Sequence, residues 1–274
     1  MLLPSDFSFS QHNLQDFVDC SYRFLLKYIK KVAWPAIQSE PVLEMEKQIE
    51  LGLAFHRIIH QFYLGIDPAD LEAQCGDVEL AIWLRNFLAD PKLRDFKFTF
   101  PETALTTSLL NFRMIAKFDL ISVTRAGDIQ ILDWKTSRRK PSRLALQQRL
   151  QTRLYPFVLC NSLAKLLPDL AFNPSELTMI YWFSDFPSEA EQFKYGEERL
   201  EEDKQYLQSL LSKISSFTEE DFLKTPNEKM CRFCVYRSYC ERGKEAGNWD
   251  DQDSQESSDD LASFSFLDAG EISF

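Results

Sequence analysis

The tripeptide Asp133-Trp134-Lys135, which closes the apolar run Ile129-Gln130-Ile131-Leu132, constrains this chain more than any other feature. Side chains alternate along a strand, so Asp133 and Lys135 project from one face while Trp134 enters the opposite layer. The two charged residues then stand about 6.6 to 7 Å apart along the strand. At that separation a carboxylate can hold a metal while an ammonium faces the water or phosphate beside it. A second strand-like run, Phe112 to Val123, carries Asp119, and the short link Thr124 to Asp128 predicts an antiparallel hairpin. Two acids and a lysine on neighbouring strands form a site for metal-assisted phosphodiester hydrolysis. An isolated Asp-x-Lys is more often a surface ion pair on a hairpin, so the rest of the chain has to decide.

With 274 residues the chain can build one large domain with a full core, or two small ones. Met1 to Asn13 is polar and has no basic n-region, and no apolar run approaches the length of a membrane span. A cytoplasmic, nucleoid-associated protein with no membrane partner is the expectation. The formal charge of -11 argues against nucleic acid until its location is considered. Residues 248–274 hold eight of the 42 acids and no Lys or Arg, which leaves 34 acids against 31 bases in the body. That body is nearly neutral, so basic clusters on it act locally. The tail is rich in Ser and Asp and is expected to be disordered and inert. Its Phe264-Ser265-Phe266 and Ile272-Ser273-Phe274 leave open DNA mimicry or a repair partner.

Helical spacing of apolar residues predicts helices over Phe9–Lys31, Glu44–Leu64, Leu71–Leu88, Leu144–Leu167 and Glu197–Phe217. Pro156 should kink the fourth or end its first half. Strands are predicted over Lys97–Leu109, Phe112–Val123, Asp128–Lys135 and Leu177–Phe183.

Six cysteines without an export signal argue against a disulfide scaffold. Cys231-x2-Cys234-x5-Cys240 lies near the end of the body, and Cys20 near its start. Four such ligands suit a [4Fe–4S] cluster or a structural zinc. A lone distant fourth cysteine favours the cluster, because zinc ribbons usually pair two C-x2-C knuckles. Incidental thiols are the remaining reading. Cys75 and Cys160 sit in apolar helical contexts and read as buried core thiols.

Taken in order, these motifs resemble the PD-(D/E)XK nuclease superfamily, in its RecB-like branch with a four-cysteine iron–sulfur cluster, which includes AddB-type nucleases and CRISPR-associated exonucleases. Phe7-Ser8-Phe9-Ser10 to Cys20-Ser21-Tyr22-Arg23-Phe24 resembles that branch's S-x-S…F-x-x-C-P-Y-R-F entry, with Ser21 in place of Pro. Gly52 to His56 resembles G-x-x-x-H, and Ala116 to Asp119 resembles G-x-x-D with Ala for Gly. Asp133 to Thr136 matches D-x-K-T, and Gln151 and Tyr155 match Q-x3-Y, with Pro156 directly after as a departure. The resemblance covers residues 7–243. It implies an α/β, restriction-endonuclease-like core of helix, mixed three- to four-stranded sheet, helix and strand, flanked by a helical segment built from both chain ends.

The resemblance also implies a Mg²⁺- or Mn²⁺-dependent DNase. His56, Asp119, Asp133 and the Trp134 carbonyl would hold the metal, and Lys135 would position the attacking water and stabilise phosphate charge. Cys20, Cys231, Cys234 and Cys240 would bind the cluster. Gln151 and Tyr155 would contact DNA or brace the site. His56 and His60 share a helix face, but Arg57 stands where a zinc protease H-E-x-x-H needs Glu, which excludes that chemistry. Gln147, Gln151 and Tyr155 form one i, i+4, i+8 stripe. Arg138, Arg139, Lys140 and Arg143, with Arg149 and Arg153 on the following helix, form a plausible phosphate-backbone track. Glu102, before the hairpin, is either an accessory acid or a solvated strand residue.

The expected organisation is a nuclease domain with its iron–sulfur staple over 1–247 and an acidic tail over 248–274. The expected function is a single-stranded DNA exonuclease of repair or recombination, with a helicase or repair protein as partner. CRISPR spacer processing, a non-catalytic DNA-binding scaffold and a zinc-stapled RNA-processing module are the alternatives.

Overall fold

A computed structural model describes residues 2–4, 6–34 and 36–248; the acidic tail lies outside the described residues apart from its first position. The helices are α1 Gln11–Asp19, α2 Ser21–Phe24, α3 Val42–Tyr63, α4 Pro68–Ala73, α5 Val78–Ala89, α6 Arg143–Gln148, α7 Leu150–Ser162 and α8 Glu197–Ser216. The strands are β1 Ser8–Phe9, β2 Ser39–Glu40, β3 Phe96–Leu109, β4 Phe112–Thr124, β5 Ile129–Lys135, β6 Leu177–Phe183, β7 Glu191–Lys194 and β8 Gly247–Asn248. The class is α/β, with a mixed sheet between helices, as a restriction-endonuclease-like core requires. Among the described residues no helix is long and apolar enough to cross a membrane.

The predicted hairpin forms: β4 and β5 pair antiparallel from Val123↔Ile129 to Leu120↔Leu132. β3 lies along the other edge of β4, and β6 runs parallel to β5 over its whole length. The short strands β1 and β7, which the sequence reading did not foresee, bring the sheet to six strands. A parallel β5–β6 pair demands a crossover, and α6 and α7 supply it. Each sheet face covers its own core. Ile131 and Met179 pack with α7 and α8 on one face, while Leu132, Trp134 and Trp182 pack with α3 and α5 on the other. Trp134 is 1% exposed, its indole edge-on to the rings of Trp182 and Phe87, so the alternation predicted from Asp-Trp-Lys holds.

Three predicted helices divide. The first breaks at Cys20, whose extended backbone ends α1 by donating its N–H to Asp16 and opens α2. The third breaks between α4 and α5, each started by an aspartate cap, Asp67 and Asp77. The fourth breaks at Arg149, whereas Pro156 lies inside α7, where Tyr155, Pro156 and Phe157 are all buried. The Leu146 carbonyl closes the break from both sides, accepting from the Arg149 N–H at 3.2 Å and from Thr152 Oγ1 at 2.5 Å.

The first and last parts of the described chain meet in the flanking segment. Phe24 stacks on Phe222, and Phe17 meets Phe217 and Phe222. Ser21, the departure from the Pro of the resembled motif, accepts from the Leu223 N–H at 3.0 Å and its hydroxyl lies 3.1 Å from the Leu223 carbonyl. Tyr236 donates to the Val32 carbonyl at 3.0 Å, and β2 pairs with β8.

Candidate active site

The β4–β5 ladder stops one residue short of Asp119 and Asp133. Beyond that point the Trp134 N–H, deprived of a strand partner, donates to Asp119 Oδ2 at 2.8 Å. The parting of the strands opens the sheet at the carboxyl end of β5, where open α/β sheets place their ligands.

A second irregularity coincides with the first. Along β4, Met114, Ala116 and Phe118 face the same core as Ile121 and Val123, whereas Leu120 enters the other. The strand therefore changes faces at Asp119. β3 does the same: Leu105 and Leu109 on one side of Glu102, and Phe100 on the other, pack against one core. The pairs Pro101↔Leu120 and Thr103↔Phe118 keep Glu102 directly across from Asp119. Glu102 absorbs the change at φ 49°, a left-handed conformation that costs a residue with a Cβ about 1 to 3 kcal/mol. Two carboxylates directly opposite also repel. Backbone strain and like charge thus concentrate at one point of the sheet.

α3 brings His56 to that point. Phe55 anchors the helix by stacking on Trp182 at 6.0 Å, and His56 Nδ1 lies 3.4 Å from Asp119 Oδ1. His56, Glu102 and Asp119 each offer a ligand atom, all within 4.8 Å of one another. Burial works to raise the Asp119 pKa. The His56 charge and hydrogen bond, the Lys135 charge and the Trp134 N–H outweigh it and hold the carboxyl below the usual range. Lys117 pairs with Glu102 at 2.6 Å. His60, one turn along α3, does not join the trio, and the sequence left Glu102 undecided because only the face change turns it inward.

Asp133 and Lys135, each 3% exposed, sit beside the trio on β5. Lys135 Nζ lies 2.9 Å from Asp133 Oδ2, and Gln151 Nε2 donates to Asp133 Oδ1 at 2.5 Å. The Lys135 ammonium also lies 5.9 Å from the centre of the Tyr181 ring. Burial and the Asp133 charge raise the Tyr181 phenol, so it stays neutral and hydrogen-bonded to Thr152.

The polar stripe predicted on one helix does not face solvent as a unit. Gln147 is exposed on α6, while Gln151 and Tyr155 are buried on α7, Tyr155 against Phe118. Bracing, rather than DNA contact, is what their burial supports. The basic track also contracts. Lys140 and Arg143 pair with Glu191 at 2.9 and 2.8 Å, and Arg153 pairs with Asp203 at 2.6 Å. Arg138 and Arg139 remain exposed in the loop after Lys135, and Arg149 is buried.

At the far end of the flanking segment, Cys20, Cys231, Cys234 and Cys240 line one pocket, together with Arg23, Lys224, Arg237 and Arg242. No three of the sulfurs lie within 4.8 Å of one another among the described residues. Burial, then the negative charge of neighbouring sulfurs, pushes the Cys240 thiol up to about 11 and raises Cys231 as well. Cys234 is raised by burial first. Cys75 and Cys160 are partly buried against the two cores.

The family model of the PD-(D/E)XK nuclease superfamily matches residues 8–241. No curated protein matches the chain. Among solved structures, a candidate exonuclease from Eubacterium rectale is 11% identical with a TM-score of 0.48, over 77% of this chain and 80% of that one. The protein SSO0001 is 12% identical with a TM-score of 0.40, over 85% of each chain.

Proposed function

We propose, from the premise that this chain belongs to the PD-(D/E)XK nuclease superfamily, that it is a Mg²⁺- or Mn²⁺-dependent deoxyribonuclease that degrades single-stranded DNA from an end. The observation that carries the reading is the break in the sheet, which sets His56, Glu102 and Asp119 within 4.8 Å of one another beside Asp133 and Lys135. Two carboxylates and an imidazole suit a hard divalent cation. Their span also suits it, since oxygens on opposite sides of a Mg²⁺ ion lie about 4.2 Å apart. When bound, the metal lowers the pKa of water and polarises a phosphoryl oxygen.

The chain's own residues supply the remainder. Asp119, Glu102 and His56 would hold the metal, with Asp133 and the Trp134 carbonyl on the adjoining strand as further oxygen donors. Asp133 and Gln151 fix the place of Lys135. The Lys135 ammonium orients the attacking water and offsets negative charge on the phosphate. Its near-complete burial strengthens that electrostatic effect. Arg138 and Arg139 engage the strand's backbone beside the site.

We also assign residues 1–247 to one nuclease domain of the RecB-like branch, stapled by a [4Fe–4S] cluster on Cys20, Cys231, Cys234 and Cys240. The four thiols share one pocket, and burial raises Cys231, Cys234 and Cys240, so those three are not suited to remain uncompensated thiolates. Arg23, Lys224, Arg237 and Arg242 suit the net negative charge of a thiolate-ligated cluster. A repair or recombination role beside a helicase follows from the branch resemblance alone.

The test compares 5′-labelled, 3′-labelled and circular single-stranded DNA with linear duplex, each with Mg²⁺, Mn²⁺ or EDTA. Digestion of the linear single strand with metal, while the circle survives, is the expected result. Cutting of the circle overturns the exonuclease reading, and equal cutting in EDTA overturns metal dependence.

A further inference from the structure

Among the described residues, one buried cation beside the site has no acidic partner. Arg149 occupies the break between α6 and α7 in extended backbone, φ -65° and ψ 142°. The break turns the first residues of α7 onto the site, where Gln151 reaches Asp133 at 2.5 Å and Thr152 Oγ1 lies 2.7 Å from the Tyr181 hydroxyl. Arg149 is 9% exposed, and its Nη1 is buried with no hydrogen-bond partner. Among the described residues the Arg149 guanidinium makes no hydrogen bond or ion pair. Its neighbours differ, since Arg143 and Arg153 are matched by Glu191 and Asp203.

A buried lysine can escape the cost of burial by losing its proton, but a guanidinium cannot. Burying an unpaired charge costs several kcal/mol, and buried charges are as a rule paired, so this guanidinium calls for an anionic partner. The turn that follows Arg149 carries Thr152 to the Tyr181 hydroxyl, and the Arg149 charge acts on that phenol as those of Asp133 and Lys135 do. The N-terminus of α7, a helix of 13 residues, adds partial positive charge there.

We propose that Arg149 is a phosphate-binding residue: its guanidinium and the first turn of α7 receive a backbone phosphate of the bound strand beside Lys135. The fork of the guanidinium suits two phosphate oxygens at once. The residue has no part in holding the metal, which His56, Glu102 and Asp119 do from the other side of β5. The inference rests on the nuclease reading, and the experiment separates the two.

Arg149→Met and Arg149→Lys are compared with wild type by the affinity of a fluorescent single-stranded oligonucleotide, in Ca²⁺ to prevent cutting, over a series of salt concentrations. Arg149→Met should weaken binding roughly 10- to 100-fold, the effect of a lost charge-assisted hydrogen bond. It should also flatten the slope of log affinity against log salt by about 0.7, one phosphate contact on a single strand. Arg149→Lys should fall between, because an ammonium lacks the fork. The melting temperature of free Arg149→Met should hold or rise, since a buried unpaired charge is gone, and Mn²⁺ affinity should not change. Unchanged affinity and salt slope in Arg149→Met overturn the inference, as does a lowered melting temperature with the slope intact, which marks a structural residue. Should wild type cut no nucleic acid while Arg149→Met still loses oligonucleotide binding, the nuclease reading falls and the Arg149 assignment stands.

Discussion

The break in the sheet and the cysteine pocket are both assembled from residues remote in sequence, but they are held by different means. His56, Glu102, Asp119, Asp133 and Lys135 ride on α3, β3, β4 and β5, whose backbones are fixed by ladders and by two apolar cores. Repulsion between the carboxylates is offset locally by His56, Lys117 and Lys135. The cysteines sit instead in a break between two helices and in short turns over Glu228–Phe233 and beyond, with the Cys231, Cys234 and Cys240 thiols raised by burial. A site carried on strands keeps its shape before its metal arrives. A pocket carried on turns depends on what it binds, because binding energy there is folding energy. Chemistry and staple should therefore fail separately.

The largest expected effect is on chemistry alone. Lys135→Ala should lower the cleavage rate by roughly 10²- to 10³-fold, as removal of one preorganised charge-stabilising group does elsewhere. Iron content should stay at wild type. Loss of iron in this variant would break the separation between the two regions.

Cys234→Ser probes the other region. Iron should be lost, and hydrogen exchange should rise over α2 and residues 222–242 by more than an order of magnitude, as local opening becomes cheaper. Cleavage at low temperature should fall less than about tenfold if the strands hold the site unaided. Full inactivation with an unchanged exchange pattern would contradict that.

Glu102→Gln sharpens the account of the sheet site. Mn²⁺ affinity should weaken by about tenfold, a charged oxygen donor being replaced by a neutral one. Unchanged affinity by calorimetry would remove Glu102 from the metal site.

The remaining effect is on stability rather than on the site, and concerns what ties α1 to the staple. Asp16 is buried against Arg23 at 2.8 Å and Lys27 at 3.0 Å, with Tyr28 donating at 2.7 Å. Burial acts to raise its pKa, but those cations and the tyrosine prevail and hold it below the ordinary value. A carboxyl whose folded pKa is depressed contributes stability above its unfolded pKa and loses it as pH falls through the folded one. Asp16→Asn should therefore cost about 3 kcal/mol at pH 7. The gap to wild type should close below about pH 4, where the unfolded carboxyl protonates. A gap independent of pH would show that packing, not charge, holds Asp16.

Regular patterns made much of this legible in the sequence. Asp133-Trp134-Lys135 gave away its faces because strand alternation is strict, and the link Thr124–Asp128 was too short for anything but a hairpin. Breaks in regularity were harder. Cys20 and Arg149 interrupt patterns that continue apolar on both sides, and only tertiary contacts, such as Ser21 with Leu223 and Gln151 with Asp133, favour the interruption. Pro156 carries the strongest local breaking signal, yet burial of its neighbours keeps α7 whole. Glu102 was undecidable because its inward turn depends on a positive φ that no local residue pattern announces. Pairing of Lys140, Arg143 and Arg153 with acids on β7 and α8 could not be read from a list of basic residues.

The most direct test of the central claim is a side-by-side assay of wild type and Asp133→Ala, purified without oxygen, on end-labelled single-stranded DNA with Mn²⁺. The account predicts progressive shortening by wild type and none by Asp133→Ala, with iron content the same in both. Equal cleavage by the two proteins, or none by iron-loaded wild type, would contradict it.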